Sequence, residues 1–219
     1  MDKSEFISYN QSLLTDNSNS MIIPNGVLNM NDIISFNITN NGVLKRIVIG
    51  ESCYRRVREF ELDGLSELES VEIRGSSYGI IDNVQSDGLY RVVNCPKLKS
   101  IQIGHHSFED YHSFELNNLP SLQSIVIGNE CFGKVRVFEL DGLHKLESVV
   151  IGRESFWISS DCSYRIVNCP KLKSIQIGDW SFRDYHSFEL NNLPSLQSID
   201  MGEYCFKYAL SFSLTSLIV

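Results

Sequence analysis

The stretch Asp110–Ile125 recurs letter for letter at Asp184–Ile199. A copy with so little drift points to stacked units, in which each unit meets the same neighbours, not to a single mixed core. A shorter period lies inside it. The fragment I/V-x-I/M-G begins at Ile47, Ile101, Ile125, Val149, Ile175 and Ile199, and Val71–Arg74 fills the same slot with arginine in place of glycine. Successive fragments are 24, 30, 24, 24, 26 and 24 residues apart. A second fragment, F/Y-x-apolar, precedes each one and begins at residues such as Phe60, Tyr90, Phe114, Phe138, Tyr164 and Phe188. Longer blocks repeat as well: Asn94–Gly104 is identical to Asn168–Gly178, and Phe60–Ile73 nearly reproduces Phe138–Ile151. The long spacing falls on an insertion between Tyr78 and Leu89, and a shorter insertion, Trp157–Ser163, occupies the matching turn of the later block.

Leu68-x-x-Val71-x-Ile73 and its equivalents have the form of a leucine-rich repeat strand, with Val71 and Ile73 inward and Glu72 outward. The F-x-L fragment alternates too and is the candidate second strand. Asp63-Gly64, Asn117-Asn118, Asp141-Gly142 and Asn191-Asn192 lie between the two and suit corners that need positive φ. The expected fold is a β-rich solenoid: a leucine-rich-repeat-type stack of about seven turns of ~24 residues, with one or two short strands per turn. Residues 1–20 form a polar segment ahead of it. The solenoid is expected over 21–219, with a worn first turn at 21–35 and an incomplete last turn.

The period assigns columns to side chains. Cys53, Cys131 and Cys205 share a small-residue column with Ser77, Ser107, Ser155 and Ser181, while Cys95 and Cys169 stand in a leucine column. Equivalent cysteines three turns apart are separated by about 14 Å, too far for a disulfide, so reduced thiols are expected. The outward position of the F-x-L strand reads Glu61, Arg91, Glu115, Glu139, Arg165, Glu189. Each arginine is thus set between two glutamates, and only Glu115 and Glu139 are like charges side by side.

A net charge of −8 argues against a nucleic-acid partner. No apolar run approaches the ~20 residues of a membrane span. Met1–Asn10 has no apolar stretch of the secretory type, which makes a cytoplasmic location the expectation and the cell surface the alternative. The sequence offers no catalytic, cofactor-binding or metal-binding set. His105, His106 and His112 face Asp179, Trp180 and His186 in the copy, so a metal triad would not survive between near-identical turns.

The Gly178–Phe182 element and its equivalents resemble the I-G-x-x-A-F element of BspA-like leucine-rich repeat proteins, and Asn94–Leu98 and Asn168–Leu172 resemble that family's G-C-x-x-L element. Serine or cysteine stands here for the alanine. The nominal asparagine-ladder position holds Ser52, Ser76, His106, Glu130, Glu154, Trp180 and Tyr204. The resemblance implies a non-enzymatic array that binds a partner protein, often on a microbial or protist surface. The candidate contact residues are those that differ between the copies, His105, His106 and Glu109 against Trp180 and Arg183, together with the basic group Arg55, Arg56 and Arg58. Val126 against Asp200 is a further difference. Surface adhesion, and self-association through the apolar end Leu217–Val219, are the alternative functions.

Overall fold

The structure, a computed structural model, describes residues 19–26, 35–54, 57–78, 88–157 and 162–217. It is a β-solenoid of about seven turns, with no helix among the described residues. One face is a continuous parallel sheet of short strands: β1 (Ser20–Ile23), β3 (Arg46–Ile49), β5 (Ser70–Ile73), β7 (Ser100–Ile103), β9 (Ser124–Ile127), β11 (Ser148–Ile151), β13 (Ser174–Ile177) and β15 (Ser198–Met201). The alternate strands are β2 (Ser35–Thr39), β4 (Glu59–Asp63), β6 (Gly88–Val93), β8 (Tyr111–Asn117), β10 (Val137–Asp141), β12 (Ser163–Val167), β14 (Ser187–Leu193) and β16 (Ser211–Leu217). They form two sheets of four, β2-β4-β6-β8 and β10-β12-β14-β16. Every turn runs in the same direction, so all neighbours pair in parallel, Ile47 over Val71 and Phe60 over Tyr90.

Alternation drives the burial. In β5 Val71 and Ile73 are buried and Ser70 and Glu72 half-buried, and β4 repeats the pattern with Phe60 and Leu62. The inward residues of both faces join one core that also takes in Leu65, Leu68, Cys95 and their equivalents. Two aromatic stacks run through this core. Phe36, Phe60, Tyr90, Phe114, Phe138, Tyr164, Phe188 and Phe212 follow one another at 5.0–5.6 Å. Tyr54, Tyr78, Phe108, Phe132, Phe156, Phe182 and Phe206 follow at 4.6–5.3 Å. Rings of one stack meet those of the other edge-on, as Phe138 does Phe156 at 5.1 Å and 76°. This arrangement sets positive ring edges against negative faces.

The first corner has the expected backbone: Asn40, Gly64, Asn94, Asn118, Gly142, Asn168 and Asn192 have φ of 52–67°. The second corner carries a feature that residue types did not announce. Ser52, Ser76, His106, Glu130, Glu154, Trp180 and Tyr204 have φ of 54–64°, and the aromatic residues two positions on have φ of 50–62°. Left-handed backbone costs such residues roughly 1–2 kcal/mol each. Hydrogen bonds along the stack hold it in place: His106 N–H donates forward to Asn129 O at 2.8 Å, and Phe156 N–H donates back to Cys131 O at 3.0 Å.

Hydrogen bonding also explains the small-residue column beside this corner. Ser155 Oγ donates to Gly128 O one turn back at 2.9 Å and accepts the Cys131 N–H at 3.1 Å. Cys131 Sγ makes the matching contact to Gly104 O at 3.2 Å. Serine or cysteine is therefore a peg between turns, and Ser107 and Ser181 are wholly buried.

Five of the six cysteines are buried and Cys205 is half-buried. Burial pushes Cys95 and Cys169 up to about 11 and Cys131 up to about 12, so each is a protonated thiol at neutral pH. A maleimide reagent at pH 7 is expected to label Cys205 first and the others only with denaturant. Peptide mapping by mass spectrometry checks this, and rapid native labelling of Cys131 would contradict the burial described.

Candidate functional site

The second corner forms an exposed edge along the solenoid, because its left-handed backbone turns one side chain per turn away from the core. His106, Glu130 and Glu154 are about half exposed here, and Trp180 stacks on Tyr204 with ring centroids 4.3 Å apart. In the first block His106 Nδ1 stands 3.2 Å from Glu109 and 3.3 Å from Glu130. In the second block the equivalent slots hold Trp180 and Arg183. With Trp157, Glu130 and Glu154 they line a notch of about 390 Å³. Trp157 is 41% exposed, and its indole Nε1 packs so close to Gly133 that a Cβ there would lie 2.7 Å away. Gly133 thus gives the tryptophan its seat. The Arg183 guanidinium is oriented by both oxygens of Asp184, at 3.1 and 3.0 Å, and this hydrogen bonding to Asp184 raises its pKa further. The notch can offer a partner two aromatic faces, a fixed cation and two carboxylates.

The sequence-derived candidates fall into separate places. Trp180 and Arg183 come together, and His106 and Glu109 pair at the same corner three turns away. His105 lies beside them but is engaged by the fold: its Nδ1 accepts the Asn129 N–H at 2.8 Å. Asp179 Oδ1 does the same for the Glu203 N–H at 2.9 Å. Their difference between copies preserves an acceptor for the next turn. Arg58 is half-buried, with its carbonyl bonded to Leu89 N–H at 2.8 Å. Arg55 and Arg56 lie outside the described residues, as do Ile218 and Val219 of the apolar end. Val126, in β9, and Asp200, in β15, belong to the continuous sheet. In the last turn, Leu210, Phe212 and Leu214 are 84%, 58% and 55% exposed. Residue types did not single out Trp157, Glu130 or Glu154. The usable signal was the repeat slot that the two glutamates share with His106 and Trp180.

The second strands carry the charge ladder. Arg91 bonds Glu61 on one side and Glu115 on the other, the latter at 3.1 Å. Arg165 likewise bonds Glu139 and Glu189, the latter at 3.1 Å. Comparison with protein-family models, with curated proteins and with solved structures finds no match.

Proposed function

We propose that this chain is a non-enzymatic repeat scaffold of the leucine-rich repeat type that binds another protein through the Trp157–Trp180–Arg183 notch. The observation that carries the reading is where the near-identical copies diverge. The duplicated turns keep core, corners and pegs, and they exchange a self-paired His106 and Glu109 for a notch with two tryptophans and an oriented arginine. Tryptophan and arginine are enriched among the residues that dominate protein interfaces; the tryptophan ring buries a large area, and here Asp184 already holds the otherwise flexible arginine. The resemblance to BspA-like repeats supports the same class of activity, and one of the two elements that carry it, Gly178–Phe182, lies in the corner that bears the notch.

Affinity capture from native lysate tests this, using the wild type beside a Trp157→Ala, Trp180→Ala, Arg183→Ala variant. The variant is expected to melt like the wild type, because all three side chains lie outside the core cluster. It should lose at least one specific partner about ten-fold or more, since removing one hot-spot residue costs 2 kcal/mol or more. Equal recovery of every partner would overturn the assignment of this surface.

A further inference from the structure

The duplication has a seam on the face of the second strands. β8 pairs with β6 and β10 pairs with β12, yet no ladder joins β8 to β10, although β9 remains paired to β7 and β11 on the opposite face. Three other repeating contacts stop at the same place. Gly64, Asn94, Gly142 and Asn168 each donate an N–H to the next turn, but among the described residues Asn118 makes no such bond to Asp141. The side-chain chain Asp63–Asn94–Asn118 ends there, and a new one, Asp141–Asn168–Asn192, begins. The charge alternation meets itself as Glu115 against Glu139. On the β8 side of the seam the core is less covered, Phe114 and Leu116 being 7% exposed against 0% for Phe60 and Leu62 of β4, whereas Phe138 and Leu140 on the β10 side stay fully buried.

Two causes converge. The register of β6 against β8 shifts between Gly88 and Leu89, passing over His112. An irregularity of this kind bends a strand and disturbs the pairing beside it. Like charges directly opposite then weigh against closure. The result is a groove of about 520 Å³ lined by His112, Phe114, Glu115, Glu139 and Asp141, among others, with Arg136 as the one arginine or lysine against three carboxylates. His112 Nδ1 is buried at its edge with no hydrogen-bond partner among the described residues.

We propose that this groove docks an extended basic segment of a partner protein, with one arginine lying between Glu115 and Glu139. The chain itself shows what completes such a pair of carboxylates. Twice, a Y-R-apolar strand stands between two F-E-L strands, and its arginine bonds both glutamates: Arg91 between Glu61 and Glu115, Arg165 between Glu139 and Glu189. At the seam two F-E-L strands face each other with the cation missing from the alternation. A guanidinium suits the site because its planar fork can bond two carboxylates at once. Phe114 and Phe138 stack at 5.6 Å beneath the seam, so the segment lies over the groove and not between the strands, and its arginine reaches the two carboxylates from the solvent side. The partner is a different protein, since both arginine strands of a second copy are central in their own sheets and the chain carries a net charge of −8. The seam shares no lining residue with the tryptophan notch, so the two sites are independent.

The test uses the intact chain and a capped peptide with the sequence of Ser163–Val167, Ser-Tyr-Arg-Ile-Val, titrated into the millimolar range by fluorescence anisotropy. Binding is expected to weaken about ten-fold or more in a Glu115→Gln, Glu139→Gln variant, to weaken with salt, and to fail when glutamate replaces the peptide's arginine. Hydrogen exchange should slow at the facing edges of β8 and β10 on binding. A Trp157→Ala, Trp180→Ala variant should bind the peptide as the wild type does, which separates this site from the notch. No binding, equal binding to the glutamine variant, or protection confined to other strands would overturn the proposal. Concentration-dependent mass that the glutamine variant abolishes would also overturn it, by making a second copy the occupant.

Discussion

Replacing Phe156 with alanine is expected to lower the free energy of unfolding by about 3–5 kcal/mol, the range for deleting a buried phenylalanine ring. The ring is fully buried between Phe132 at 5.3 Å and Phe182 at 4.8 Å, and it meets Phe114 and Phe138 edge-on at 5.9 and 5.1 Å. Four aromatic neighbours lose a partner at once, and stacked backbones on both sides limit how far the cavity can collapse. In a solenoid each turn is stabilised chiefly by its two neighbours, so damage at this level weakens both interfaces of one turn. Urea unfolding followed by circular dichroism measures the loss. Phe156→Leu keeps most of the volume and should cost distinctly less. A Phe156→Ala protein within about 1 kcal/mol of the wild type would mean that the two stacks do not carry the core in this way.

The fold was legible because a strand repeats every two residues and the turn every ~24, and together these fix each side chain's neighbours. The period alone therefore places Glu61, Arg91 and Glu115 side by side, and Gly64, Asn118, Gly142 and Asn192 mark the first corner by their tolerance of positive φ. The second corner was not legible, because Glu130, Trp180 and Phe182 disfavour that backbone; it is imposed by hydrogen bonds between turns, which residue types do not encode. The candidate contact surface was half visible. Trp180 and Arg183 stood out by differing from the copy. His105 and Asp179 differed too, yet both accept the N–H of the following turn, a shared role that unlike side chains conceal. The seam left one trace, the Glu115–Glu139 pair. Its other cause, the register shift opposite His112, follows an insertion whose effect on the next strand no local pattern records.

The same change, tyrosine to phenylalanine, should act with opposite sign at two kinds of buried position. Tyr90 and Tyr164 stand in a column that otherwise holds phenylalanine, and their hydroxyls are buried with no hydrogen-bond partner among the described residues. Burying an unsatisfied hydroxyl costs about 1–3 kcal/mol, so Tyr90→Phe and Tyr164→Phe are expected to stabilise the chain, each by about 1 kcal/mol after the small void is counted. Tyr111 and Tyr185 are buried as deeply, but each donates its hydroxyl across two turns, to Val57 O at 2.7 Å and to Val135 O at 2.6 Å. Tyr111→Phe and Tyr185→Phe remove a staple and leave a buried carbonyl short of a donor, and should each cost about 1–3 kcal/mol. For a chain of this length, 1 kcal/mol corresponds to roughly 2–4 °C in Tm, so calorimetry can resolve both shifts. Tyr164→Phe should melt above the wild type and Tyr185→Phe below it. Shifts of the same sign would show that hydrogen-bond satisfaction does not distinguish these tyrosines, and that packing alone decides their effect.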